Sequence, residues 1–238
     1  MKPTECIILA LDFPGKKEAF DFLPHLPELS WVKVGMELFY REGPGIVYDL
    51  KNAGYKVFLD LKLHDIPNTV GRATRVLAGL GADMLNYHAA GGSAMLAAAA
   101  EAALRSPRPP LLIGVTQLTS TTQKVLEEEI GVYQPLEQVV LHYARLVKAA
   151  GFQGVVCSAQ ETPLLKRELG RDFLTVTPGI RLAGEETQDQ RRVTTPAEAL
   201  AFGSDYLVIG RTLTRAKDPA QVWESIKSEL NKTGGNQP

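Results

Sequence analysis

Cysteine is almost absent: Cys6 and Cys157 are the only two among 238 residues, each inside an apolar segment, with no CxxC and no Cys/His ligand spacing. This excludes a disulfide scaffold or a zinc module and leaves two reduced core thiols, which points to the cytoplasm. Excess charge of either sign is lacking as well. Lys and Arg number 26 against 27 Asp and Glu, for a formal net charge of -1. A nucleic-acid surface needs a basic excess, so no nucleic-acid partner is expected, although a local cluster of Lys and Arg could still hold a small anion. No apolar run reaches the length of a membrane span, and the segment from Met1 to Asp12 is interrupted too early for a signal peptide, so no membrane partner is expected either. A Walker loop and a Gly-x-Ser-x-Gly elbow are missing, and Gly43-Pro44-Gly45 does not follow a strand, so the dinucleotide fingerprint fails. The histidines, His25, His64, His88 and His142, lack metal-ligand spacing. No metal is expected, and His64 and His88 read as supporting or core residues.

What is present is a regular alternation. Short apolar runs rich in β-formers occupy Cys6 to Phe13, Trp31 to Gly35, Lys56 to Leu63, Met84 to His88, Leu111 to Leu118, Gly154 to Ser158, Phe173 to Pro178 and Tyr206 to Gly210. Between them lie helix-patterned segments: Lys16 to Leu23, Pro44 to Asn52, Pro67 to Leu80, Ser93 to Arg105, Leu136 to Ala149, Thr162 to Leu169 and Pro196 to Phe202, with Pro219 to Leu230 after the last strand. Strands apolar on both faces and alternating with helices indicate a parallel sheet. Eight such units in a chain of this length favour a single-domain (β/α)8 TIM barrel over an open doubly wound sheet. The stretch from Thr119 to Gln134, hydroxyl-rich at its start, could be an active-site loop. Residues 232–238 read as a flexible polar tail.

Against that background the run Phe58-Leu59-Asp60-Leu61-Lys62-Leu63-His64-Asp65-Ile66-Pro67-Asn68-Thr69 stands out, because it drives opposite charges into an apolar strand. Side chains two apart on a strand share a side, so Asp60 and Lys62 would lie together on the inward face, at a desolvation cost of several kcal/mol per ion. Taken alone they could equally be a structural ion pair. Asp12, ending the first strand, and Lys33, in the second, tilt the balance, since Val or Leu could have filled each inward position. In a barrel these strand ends share the rim where substrates bind, together with His88, Thr116 to Ser120 and Gly210-Arg211. Asp65 can also be read as a helix-capping or solvated carboxylate. Gly210-Arg211 can likewise be a turn with an exposed arginine, yet the loops after strands seven and eight of a barrel recurrently bind phosphate. Thr177-Pro178-Gly179-Ile180-Arg181, followed by a polar stretch to Gln190, has the makings of a lid.

Together these motifs resemble the orotidine 5'-phosphate decarboxylase family. The matching segments are Ile8-Leu9-Ala10-Leu11-Asp12-Phe13, Val32-Lys33-Val34-Gly35, the Asp60 to Thr69 run, His88-Ala89-Ala90-Gly91-Gly92, Val115 to Ser120, Thr175 to Arg181 and Ile209-Gly210-Arg211. The resemblance implies a cofactor-free decarboxylation of orotidine 5'-phosphate to UMP, the last step of pyrimidine nucleotide synthesis. It implies Lys62 as proton donor in an array with Asp60, Lys33 and Asp65. It further implies a homodimer in which Asp65 and Thr69 reach the neighbouring active site. Asp12 and Lys33 would bind ribose hydroxyls, Thr119 and Ser120 the pyrimidine region, and Arg181, Gln190, Gly210 and Arg211 the phosphate end. Two rivals are a metal-dependent phosphosugar decarboxylase or epimerase of the same barrel group and an inactive nucleotide-binding barrel. Lys33 speaks against the first, because an ammonium there would repel Mg2+. The complete charge set speaks against the second.

Overall fold

In the computed structural model, residues 3–182 and 193–234 are described. Eight parallel strands close into a barrel in chain order: β1 (Ile7–Ala10), β2 (Trp31–Gly35), β3 (Lys56–Leu63), β4 (Met84–His88), β5 (Leu111–Val115), β6 (Gly154–Val156), β7 (Leu174–Thr177) and β8 (Tyr206–Ile209). Helices follow the strands: α1 (Lys16–Phe22), α2 (Met36–Glu42), α3 (Gly45–Asn52), α4 (Pro67–Gly79), α5 (Gly92–Leu104), α6 (Gln123–Glu128), α7 (Leu136–Ala149), α8 (Thr162–Leu169), α9 (Pro196–Ala201), α10 (Arg211–Thr214) and α11 (Pro219–Gly234). The (β/α)8 architecture expected from the alternation is therefore present, and β2, β3, β4, α7 and α8 have the expected bounds. Several strands stop earlier than their apolar runs, because the residues that follow turn out toward the rim: Leu11, Thr116 and Cys157 still donate to the neighbouring strand, whereas Asp12 and Leu118 are exposed.

Three short helices escaped the sequence pattern. α2 begins directly at the end of β2 with no intervening turn signal. α6 lies within the stretch expected to be a loop and is capped by Thr122, whose hydroxyl oxygen accepts from the Val125 N–H at 3.2 Å. α10 follows β8 after Gly210 alone. At the C-terminus α11 runs to Gly234, so the helix continues into the segment expected to be a tail, whose last residues, 235–238, lie outside the described residues.

The two faces of the strands serve different cores. Outward residues such as Leu9, Val32, Val57, Leu59, Leu85 and Val155 pack against the helices. Inside the barrel, Ile8, Ala10, Trp31, Phe58, Met84, Ile113, Val176 and Val208 form a separate apolar plug. Fully burying one such side chain contributes about 1.5–3 kcal/mol, so this layer fixes the barrel floor. Backbone approach is tight where β6 meets β7: a Cβ on Gly154 would stand 2.2 Å from the Leu174 carbonyl oxygen, which only glycine avoids.

At the N-terminal ends of the strands the charged groups have a structural account. Asp83, just before β4, accepts the Val57 N–H at 2.7 Å and pairs with Lys51 at 2.6 Å. Asp205, just before β8, accepts the Thr175 N–H at 2.7 Å and pairs with Lys166 at 2.6 Å. Each carboxylate ties neighbouring strands together at the barrel bottom. At the opposite rim Asp60 is held instead by side-chain donors, from Lys62 and Asn86, and faces a cavity.

Candidate active site

On β1 to β4, two residues toward the C-terminal end, the inward face changes from apolar to polar. Trp31 gives way to Lys33, Phe58 to Asp60, Met84 to Asn86, and Ala10 to Asp12. The period-two geometry of a strand makes this a layered site: plug below, charges above. Above the plug opens a cavity of about 280 Å³ lined by Asp12, Lys33, Asp60, Lys62, Asn86, Gln117, Leu118, Thr119, Ser120, Pro178, Gly179, Arg181, Gly210 and Arg211, with Val115, Val156, Val176 and Val208 toward its floor. This is the end at which barrel enzymes place their chemistry.

Asp60 is the centre of the array. Its Oδ1 accepts from the Lys62 ammonium at 2.6 Å and from the Asn86 side-chain amide at 2.6 Å. Its Oδ2 faces the Lys33 ammonium at 3.2 Å, and Lys33 in turn stands 3.5 Å from Asp12 Oδ1. Burial alone would raise the Asp60 pKa, but Lys33, Lys62 and the hydrogen bonds from Lys62 and Asn86 outweigh it and hold the carboxyl below its ordinary value. Burial alone would likewise lower Lys33, but Asp60 and Asp12 outweigh it and hold the ammonium above its ordinary value. Both groups are thus charged across the neutral range. Two carboxylates and two ammonium groups balance, and the two nearly buried ones, Asp60 and Lys33, each have an opposite charge on either side, which makes their burial tolerable.

Lys62 reaches this position through an irregular backbone. Between Leu59 and Leu63 the pairing with β4 slips, so that β3 advances four residues while β4 advances two, from Leu85 to Tyr87. Within that bulge Lys62 has φ +49°, in the left-handed region that a side-chain-bearing residue enters at a cost of about 1–3 kcal/mol. Bulges of this kind re-aim a side chain beside active sites. The Lys62 N–H, which has left the ladder, donates to Asn86 Oδ1 at 2.8 Å.

The remaining expected residues divide into three groups. Thr119, Ser120, Arg181, Gly210 and Arg211 line the same cavity. Arg181, on the loop after β7, and Arg211, the first residue of α10 after β8, stand across the closed barrel from β3. The two ends of the segment that should form a lid are fastened together, since Arg181 N–H donates to the Thr194 carbonyl at 3.1 Å and Thr194 N–H to the Gly179 carbonyl at 3.2 Å. Asp65 and Thr69 are exposed and do not line the chain's own cavity; Asp65 Oδ1 accepts the Ile66 N–H at 2.6 Å. Gln190 lies outside the described residues. His64 is exposed and His88 half-buried, their rings 5.4 Å apart. Burial, His64 and Lys62 together lower the His88 pKa, which favours the neutral ring.

Sequence reasoning missed Asn86, and it placed Gln117 and Leu118 on the rim, within Thr116 to Ser120, without giving them a role; both line the cavity. Asn86 could have been found: it is two residues beyond Met84 on an inward face, the same step that leads from Phe58 to Asp60. Surrounded by Leu85 and Tyr87, it was hidden in an apolar run.

Comparison with known proteins bears on this arrangement. The family model described as "Orotidine 5'-phosphate decarboxylase / HUMPS family" matches residues 5–226. The orotidine 5'-phosphate decarboxylase of Bacillus cytotoxicus is 52% identical over 231 residues, 95% of this chain and 97% of the relative. That of Bacillus mycoides is 51% identical with the same coverage. Among solved structures, an uncharacterized conserved protein from Geobacillus kaustophilus superposes with TM-score 0.83 at 49% identity, over 94% of this chain and 100% of that one. Orotidine 5'-phosphate decarboxylase from Lactobacillus acidophilus gives TM-score 0.83 at 41% identity, over 94% and 98%.

Proposed function

The chain belongs to the orotidine 5'-phosphate decarboxylase / HUMPS family and decarboxylates orotidine 5'-phosphate to UMP in pyrimidine biosynthesis, and we propose that it does so without metal or cofactor, with Lys62 as proton donor. The observation that carries this reading is the Lys62 ammonium held 2.6 Å from a buried Asp60 carboxylate and opening onto the cavity. The bond between C6 of the pyrimidine and its carboxylate breaks, the electron pair stays on C6, and CO2 leaves. C6 then takes a proton from Lys62, and the resulting amine regains one from solvent. The intermediate is a vinylic carbanion with no adjacent electron sink, so a fixed ammonium beside the developing charge is the available means of lowering the barrier. Asp60 keeps that ammonium in place. It would also lie near the substrate carboxylate.

Asp12 and Lys33 bind the ribose hydroxyls in this reading, Thr119 and Ser120 the pyrimidine edge, and Arg181, Gln190, Gly210 and Arg211 the phosphate. Binding energy from that remote group can be used at the reacting end. A metal-dependent route is disfavoured by Lys33, whose ammonium stands between the Asp12 and Asp60 carboxylates where a divalent ion would need them.

The reading includes a homodimer with shared sites. Asp65 and Thr69 face outward beside Ile66, a large apolar side chain left 66% exposed. A second copy seated there would cover Ile66 and bring Asp65 to its neighbour's Lys62. We further place the protein in the cytoplasm, in keeping with its phosphorylated substrate and the buried side chains of its two cysteines, Cys6 and Cys157.

The test is consumption of orotidine 5'-phosphate, followed by ultraviolet absorbance in the presence of EDTA. Full turnover is expected. Loss of activity with EDTA, restored by a divalent ion, would refute the metal-free mechanism. Lys62→Ala should lose turnover while keeping its circular dichroism spectrum, and near-normal kcat would remove Lys62 from its role.

A further inference from the structure

We infer that Asn86 is the positioning residue of the charge array: one side-chain amide that grips the Asp60 carboxylate and the Lys62 peptide N–H together, and so fixes the direction in which the Lys62 ammonium points. The inference rests on Lys62 being the proton donor.

Three observations carry it. Asn86 Nδ2 donates to Asp60 Oδ1 at 2.6 Å, while Asn86 Oδ1 accepts from the Lys62 N–H at 2.8 Å. The two contacts go to residues two apart on β3 from a single residue on β4, so neither the Asp60 carboxylate nor the Lys62 backbone can turn without breaking one of them, and the Lys62 ammonium is held in turn by that Asp60 carboxylate at 2.6 Å. The residue bonded through its backbone is also the one in the left-handed conformation, φ +49°, inside the bulge. Its N–H has been released from the sheet ladder and needs a buried acceptor, since an unpaired one costs free energy comparable to a lost hydrogen bond. Asn86 supplies that acceptor and is itself 1% exposed, so water cannot replace it.

No smaller polar group on β4 would serve both ends. A serine or threonine hydroxyl has one donor proton on one short arm, whereas an amide presents a donor and an acceptor on separate atoms. An aspartate presents the same shape without the donor. It should place a second carboxylate against Asp60 unless it holds a proton. Asn86 also lies beside His88 on the same strand, and the groups facing it are Asp60, Lys62 and, through Lys62, the His64–His88 pair.

The distinction between positioning and mere support is experimental. Asn86→Leu keeps the volume and removes both contacts; kcat should fall about 10²-fold, the scale expected for a reacting group displaced by about 1 Å. KM should change much less, because the groups assigned to phosphate and ribose are untouched. Asn86→Asp should be rescued by acid. Protonated, its O–H donates to Asp60 and its carbonyl accepts from Lys62, so kcat relative to the parent enzyme should rise as pH falls. A folded Asn86→Leu with kcat within twofold of the parent overturns the inference. If that variant does not fold, Asn86→Asp decides: a kcat profile parallel to the parent's across pH overturns it equally. Should Lys62→Ala retain turnover, the proton-donor reading fails instead, whatever the Asn86 variants do.

Discussion

Replacing Asp60 by asparagine tests the array at its centre. The substitution keeps the shape and removes one charge, leaving Lys33 and Lys62 opposed only by Asp12, which stands 3.5 Å from Lys33 and is half exposed. Breaking a buried ion pair by removing one partner costs about 3–5 kcal/mol. Lys62, with 27% of its side chain exposed, can turn toward water, whereas Lys33, at 12%, cannot. The lower end of the range, about 3 kcal/mol, is therefore expected. For a domain of this size 1 kcal/mol moves Tm by roughly 2–4 °C, which predicts a loss of about 6–12 °C by differential scanning calorimetry at neutral pH. The pH dependence follows from the lowered Asp60 pKa. A group whose pKa is depressed by folding contributes its stability above the unfolded value, about 3.9 for Asp, and loses it as pH falls through the folded value. The stability gap between parent and variant, measured by urea midpoints, should hold constant from pH 8 to pH 5 and narrow only below about pH 4. A Tm loss under about 2 °C would contradict a buried, fully partnered carboxylate. A gap that narrows already between pH 8 and pH 6 would mean that another group carries the effect.

Three further outcomes are expected. Lys62→Ala and Asp65→Ala subunits, each inactive alone, should recover up to about a quarter of parental activity per site pair when mixed, by statistical pairing of one intact shared site; no recovery in verified mixed dimers would count against shared sites. Arg211→Ala should raise KM for orotidine 5'-phosphate by roughly one to two powers of ten, the loss of a charge-assisted contact worth about 1.5–3 kcal/mol, and an unchanged KM would place the phosphate elsewhere. Gly154→Ala should destabilise more than Gly114→Ala in urea titrations. Both new Cβ atoms would meet a neighbour at 2.2 Å, but the first meets the Leu174 backbone oxygen within the sheet and the second the Val147 side chain, which can give only by a shift of α7 against the barrel. Equal losses would mean that the barrel wall yields as easily as the helix packed against it.

Much of this site could be read directly from the chain, for a physical reason. Apolar runs interrupted by charge are conspicuous because burying an ion is costly, so Asp60, Lys62 and Lys33 announced themselves wherever the strands were recognised. The strands were recognisable because a parallel sheet covered on both faces requires nearly continuous apolar runs. Short elements without a turn signal were not legible: α2 and α10 start within a residue of the preceding strand, and nothing in composition separates them from it. Asn86 was hidden for the opposite reason. A neutral amide in an apolar run carries no desolvation cost large enough to stand out.

The bulge at Lys62 shows what the pattern could not supply even where it pointed the right way. Strict alternation puts Asp60 and Lys62 on one face with their Cα atoms roughly 6.6 Å apart along the strand, side chains parallel. From that geometry the ion pair follows, but not the direction of the ammonium. The slip against β4 and the positive φ change the direction without breaking the pair: Lys62 still meets Asp60 at 2.6 Å while opening onto the cavity. Nothing local demands this, since Leu61-Lys62-Leu63 contains no glycine to mark a bulge. The left-handed backbone costs energy, and a barrel built only for stability would have kept the ladder. The compensation comes from β4, where Asn86 accepts the displaced N–H. The strain and its relief therefore lie on different strands, and only their pairing in the barrel brings them together at the rim of the cavity.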